Sequence, residues 1–68
     1  MKRQQFIVQD HKGHVKSFAM DVNPRQSQEN MLRQVAELFA KKHNVPKMEY
    51  ISVKEKDFGD WIHFQVTN

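Results

Sequence analysis

Sixty-eight residues make one small domain, and a chain this short buries only about 60% of its unfolded surface, so its core is marginal without a dimer, a metal or a disulfide. There is no cysteine, which excludes disulfides and thiol chemistry and disfavours a structural zinc site. The net charge of +3 is unevenly placed: residues 1–47 carry nine Lys/Arg against four carboxylates (+5), and residues 48–68 carry two against four (−2), so a basic part could meet an anionic partner.

Residues 1 to 4 read as a flexible N-terminal arm. The start is basic, but alternation and Asp10 follow instead of the apolar core of a signal peptide. No run approaches the roughly 20 apolar residues of a membrane span. The expectation is a cytoplasmic protein with no membrane contact.

Gln5–Gln9 reads as the first strand, with Phe6 and Val8 on one face and Gln5, Ile7 and Gln9 on the other. Asp10-His11-Lys12-Gly13 is a turn, since Gly13 accepts the positive φ that closes a short hairpin. The second strand is His14 to Val22, with Phe18, Met20 and Val22 inward and Val15, Ser17, Ala19 and Asp21 outward. A helix follows. Met31, Val35, Leu38 and Phe39 recur at helical spacing, widened by Leu32 and Ala36. Asn23 before Pro24 and Ser27 are both candidate N-caps; Ser27 is preferred because no apolar residue lies between Pro24 and Asn30. Lys41, Lys42 and His43 suit the negative end of the helix dipole, Asn44 suits a left-handed cap, and Pro46 forbids continuation.

Met48–Glu55 reads as the third strand, with Ile51 and Val53 inward and Tyr50, Ser52 and Lys54 outward. Residues 56 to 60 form a turn in which Phe58 is expected to tuck under the hairpin. Residues 61–67 alternate strictly: Ile62, Phe64 and Val66 point one way, and Trp61, His63, Gln65 and Thr67 the other. The order ββαββ predicts an α+β fold, one four-stranded, mainly antiparallel sheet with a single helix on one face. A β-grasp arrangement is one topology that fits. The expected core is Phe6, Val8, Phe18, Met20, Val22, Leu32, Val35, Leu38, Phe39, Ile51, Val53, Ile62, Phe64 and Val66.

A sheet covered on one side leaves a second face, and three readings of it compete. As a protein-contact surface, which includes homodimerisation, it would use Ile7, Val15, Tyr50, Trp61 and His63, because Tyr and Trp bury much area and keep a polar handle. As a nucleic-acid platform, it would stack bases on Tyr50 and Trp61 and draw charge from Lys54, Arg33, Lys41 and Lys42. Against that stand Glu49, Glu55, Asp57 and Asp60, close by in sequence. As an enzyme, the chain has no nucleophile elbow, phosphate loop or His-Glu zinc signature. The leading expectation is a non-enzymatic regulatory or binding protein without metal or small-molecule cofactor. His11 and His14 across a turn read as turn residues rather than metal ligands, and Arg33 with Glu37 as an i,i+4 pair.

Overall fold

The structure is a computed structural model, and it describes residues 2–57 and 59–67. Its elements are β1 (Lys2–Gln9), β2 (Val15–Val22), α1 (Gln28–Lys42), β3 (Tyr50–Glu55) and β4 (Ile62–Gln65). They form one four-stranded sheet in the order β2-β1-β3-β4, with every neighbouring pair antiparallel. The predicted ββαββ class holds. The β-grasp option does not describe the strand order, because that arrangement sets the first and last strands side by side and parallel. Here β1 takes β3 as its second, antiparallel neighbour, and β4 lies at the edge.

The first hairpin is long for a local reason. Asp10 Oδ1 accepts the Lys12 and His14 N–H groups at 2.9 and 2.8 Å. The Asp10 N–H donates to the His14 carbonyl at 2.9 Å, and Gly13 stands at φ +86°. An Asx turn and a left-handed glycine together set the register. That register runs without interruption from Gln9↔Val15 to Lys2↔Val22. Residues 2 to 4, read as part of an arm, are therefore the start of β1. Arg3 lies 3.9 Å from Asp21 across the strands, and the Gln4 amide donates to Glu55.

The helix starts at the preferred cap: Ser27 Oγ accepts the Asn30 N–H at 3.2 Å. Asn23 caps a separate short turn, taking the Arg25 N–H at 2.9 Å. The stop is a left-handed cap at Asn44, φ 54°, with the Val45 N–H donating back to the Ala40 carbonyl at 3.0 Å. This six-to-one bond satisfies one of the orphan carbonyls at a helix end.

Alternation decides the two sides of the sheet. Phe6, Val8, Val22, Ile51 and Val53 face the helix and are buried with Leu32, Val35 and Phe39. Phe18, Met20, Ile62 and Phe64 are partly buried at the flanks, and Phe18 meets Phe39 edge-on at 6.1 Å. Leu38 is a correction: it is 46% exposed. The buried stripe runs through Met31, Leu32, Val35, Ala36, Phe39 and Ala40, and Leu38 falls just outside it. Small Ala36 and Ala40 take the inner positions and let the helix lie close. β3 starts at Tyr50 rather than Met48, because Met48 takes a left-handed φ of 78° that a strand cannot continue through. β4 is trimmed to Ile62–Gln65, although Val66 stays tied by its N–H to the Glu49 carbonyl at 2.8 Å. The radius of gyration is 11.1 Å, close to the value of about 11 Å expected for a compact chain of this length.

The alternation of backbone bonds shows which groups the sheet leaves open. The Asp10–His14 bond sets the ladder between β1 and β2, so Lys16, Phe18, Met20 and Val22 bond to β1, and Val15, Ser17, Ala19 and Asp21 turn their N–H and C=O groups to the free edge. The Glu49–Val66 bond does the same at the other end: Ile62 and Phe64 bond to β3, and His63 and Gln65 face outward.

Candidate functional site: the outer face of the sheet

The outer face is built of side-chain rows that cross the strands. Ser17, Ile7 and Lys54 form one row, and Val15, Gln9, Ser52 and His63 the next. Ala19 stands beside Gln5, and Tyr50 beside Gln65. Trp61 precedes β4 and lies against Lys54, whose Nζ is 5.7 Å from the ring centroid, a cation–π contact. His63 Nδ1 and Ser52 Oγ are 2.6 Å apart. Gln65 Nε2 reaches the Met48 carbonyl at 3.4 Å. These contacts tie Ser52 to His63, Gln65 to the Met48 backbone and Lys54 to Trp61; of the apolar members, Val15 is 60% exposed, Tyr50 58% and Trp61 38%, and Ile7 is half-buried.

Ile7, Val15, Tyr50, Trp61 and His63 thus share one side of the sheet. Of the second set, Tyr50, Trp61 and Lys54 join them there, but Arg33, Lys41 and Lys42 sit on α1, a layer away on the opposite side of the sheet. Two of those cations are also engaged. Arg33 lies 5.7 Å over the Phe64 ring and 3.6 Å from Glu29, and Lys42 lies 5.8 Å over the Phe18 ring. The helical ion pair is Arg33–Glu29 rather than Arg33–Glu37. Both acids are four residues from Arg33, but Glu29 is on the N-terminal side, the better orientation of such a pair.

Glu55 departs from the expected placement among the carboxylates beside the outer face. Near in sequence to the outer-face residues, it points the other way and is buried. Its two oxygens accept the side-chain amides of Gln4, on β1, and Gln28, the first residue of α1, the latter at 3.2 Å. A carboxylate at a helix N-terminus is favoured by the dipole and by these donors. The signal was present: Glu55 shares its parity with Ile51 and Val53. The outer face consequently carries Lys54 and His63 as its central ionisable groups, with Arg3 and Asp21 paired at one corner.

At the first turn, desolvation pushes the Asp10 carboxyl up. Backbone hydrogen bonds from His14 and Lys12, with the charges of His14 and Lys16, act against it and leave Asp10 below its ordinary value. His14 Nδ1 is 3.7 Å from Asp10 Oδ2. Among the described residues no three His, Cys, Asp or Glu side chains group as a metal site. A groove of about 260 Å³ lies between α1 and β4, lined by Ala36, Ala40, Ile51, Phe64 and Val66, with Arg33, Glu37 and His63 as its ionisable residues. Among the described residues no helix is long and apolar enough to cross a membrane. The placement expected for Phe58 lies outside the described residues.

No protein-family model, curated protein or solved structure matches this chain.

Proposed function

We propose that the protein is a non-enzymatic contact module whose outer sheet face binds another protein. The observation that supports this reading is the composition of that face. Tyr50, Trp61, Val15 and Ile7 stand among amides and hydroxyls, with Lys54 as the lysine at the centre and, among the described residues, no carboxylate paired with it. Contact surfaces are depleted of charge at their centre and enriched in Tyr and Trp. Charged residues make up 28% of the whole chain, so the depletion is local. The partner surface is apolar, with a carboxylate placed to meet Lys54. Lys54 is half-buried as a residue, and its ammonium lies 5.7 Å over the Trp61 ring.

Single-stranded nucleic acid is the second reading. Inward-facing Glu55 supports it, because one of the repelling carboxylates is removed from the face. Charge decides against it. Phosphate contacts supply most of non-specific affinity, each with its own salt dependence, and this face offers Lys54 near its centre and Arg3, paired with Asp21, at its corner, while Arg33, Lys41 and Lys42 lie behind the sheet.

The test is a pair of binding measurements on the intact chain. Titration with a single-stranded oligonucleotide at low salt is expected to leave the amide signals of Ser52, Lys54, Trp61 and His63 unmoved; salt-dependent shifts there would transfer the site to nucleic acid. Comparative capture, followed by titration of the purified partner, is expected to yield a protein held by wild type and by the helix control Leu38→Ala but lost with Tyr50→Ala and Trp61→Ala. A partner indifferent to Tyr50 and Trp61 would sink the reading.

A further inference from the structure

The two edges of the sheet are unequal. β4 is four residues long, and within it only His63 and Gln65 turn their backbone groups outward. β2 is eight residues long and presents four such residues, Val15, Ser17, Ala19 and Asp21. Edge strands of soluble proteins are usually blunted by proline, a bulge, short length or a charge on the open side. β2 has none of the first three: its eight pairs with β1 are consecutive, and its sequence VKSFAMDV has no proline. Asp21 is engaged by Arg3, and the two residues at the middle of the open row, Ser17 and Ala19, are small and uncharged.

We infer that β2 pairs antiparallel with β2 of a second copy, about a two-fold axis at Phe18, to make one continuous eight-stranded sheet. Parity picks the register. Residues opposite one another in an antiparallel pair lie on the same side of the sheet, so the positions of two opposed residues must sum to an even number. Centring on Phe18 is the choice that engages all four outward residues. Val15 then faces Asp21 of the second copy, and Ser17 faces its Ala19, each pair occurring twice, which gives about eight new backbone hydrogen bonds. On the helix side Phe18 meets Phe18 of the second copy, and Lys16 meets its Met20. No like charges are opposed. A centre at Ala19 would leave Val15 without a partner in the strand.

A second copy fits this edge better than β4 of a neighbour does. Pairing β2 with β4 is head-to-tail and leaves open ends that propagate, and four residues cannot cover eight. Pairing β2 with itself closes after two chains. The axis is perpendicular to the sheet, so both helices fall on one side and both outer faces on the other. The contact face of each chain becomes half of a surface twice as wide. A domain of this size also gains stability by association.

Sedimentation equilibrium from micromolar to millimolar concentration tests this, with an expected limiting mass of twice the chain's 8.1 kDa. Ala19→Pro removes an N–H that points to the open edge and none from the ladder with β1, and it is expected to give a folded monomer. Ser17→Lys combined with Ala19→Lys opposes like charges at two places and is expected to weaken the dimer roughly tenfold or more. Mixing it with the Ser17→Glu, Ala19→Glu chain is expected to restore a dimer of one of each. Trp61→Ala, at the far side of the sheet, is expected to leave the dimer unchanged, so loss of partner binding and loss of self-pairing separate. A wild type monomeric at every concentration, a dimer that survives the lysine pair, mixed charges that fail to associate, or a dimer broken by Trp61→Ala would each overturn the inference. The last would point to stacking through the outer face.

Discussion

The two faces of the sheet are made by the same strands and the same alternation, and they meet opposite fates. The inner face buries Phe6, Val8, Ile51 and Val53 under α1, and Glu55, buried with them, is bonded through both oxygens. The outer face leaves Val15, Tyr50 and Trp61 open and joins its polar groups in pairs, Ser52 with His63 and Lys54 with Trp61. Burial and exposure therefore fall to different residues a single strand position apart. In larger proteins a second layer often covers such a face. Here α1 covers one face of the sheet, and Val15, Tyr50 and Trp61 on the other are exposed.

Four substitutions sharpen that contrast. The largest effect belongs to Phe39→Ala, which removes a fully buried ring at the centre of the helix contact and is expected to cost about 3–5 kcal/mol. For so small a domain that is a large share of its whole stability, and thermal melting by circular dichroism should show a domain largely unfolded at room temperature. Next is Glu55→Ala. It strands the Gln4 and Gln28 amides without their acceptor and is expected to cost about 1–3 kcal/mol in urea denaturation. A neutral result would mean that Glu55 belongs functionally to the solvent and the contrast between the faces is weaker than drawn.

Trp61→Ala should do the reverse. Its effect on the urea midpoint is expected to stay within about 1 kcal/mol, as for surface positions, while partner binding is lost. Marked destabilisation would move Trp61 into the structural set. The smallest effect concerns the end of the first hairpin, where Asp10 has a lowered carboxyl pKa in the folded chain. The unfolded chain then binds the proton more readily, so the contribution is present above about pH 4, the ordinary carboxylate value, and is lost as pH falls through the lower native one. Urea midpoints followed from pH 6 to pH 3 should fall more steeply for wild type than for Asp10→Asn. Parallel curves would remove Asp10 from the acid response.

Much of this was readable in the chain. Ser27 rather than Asn23 begins the helix because the apolar spacing starts only after it, and Asn44 before Val45 and Pro46 marks the stop. The turn at Asp10 to Gly13 is written in four residues. Leu38 was not readable: it fits the helical repeat, and its exposure depends on how far the sheet extends beneath α1. Nor could the partner of Arg33 be read from spacing alone, since Glu29 and Glu37 are equally distant along the chain. For the outer face, strand parity alone places Ile7, Val15, Tyr50, Ser52, Lys54, Trp61 and His63 together. It did not show that Arg33, Lys41 and Lys42 stand behind the sheet.

The sequence by itself determined the elements and the side of each strand that is apolar, because caps, turns and a period of two act over a few neighbouring residues. Only the tertiary structure decided that β1 lies between β2 and β3, that Glu55 closes the core against Gln4 and Gln28, and that β2 keeps a long open edge. Those outcomes rest on pairings such as Phe6 with Glu55. The two residues are far apart along the chain, and their meeting follows from the energy of the whole sheet, which no local pattern records.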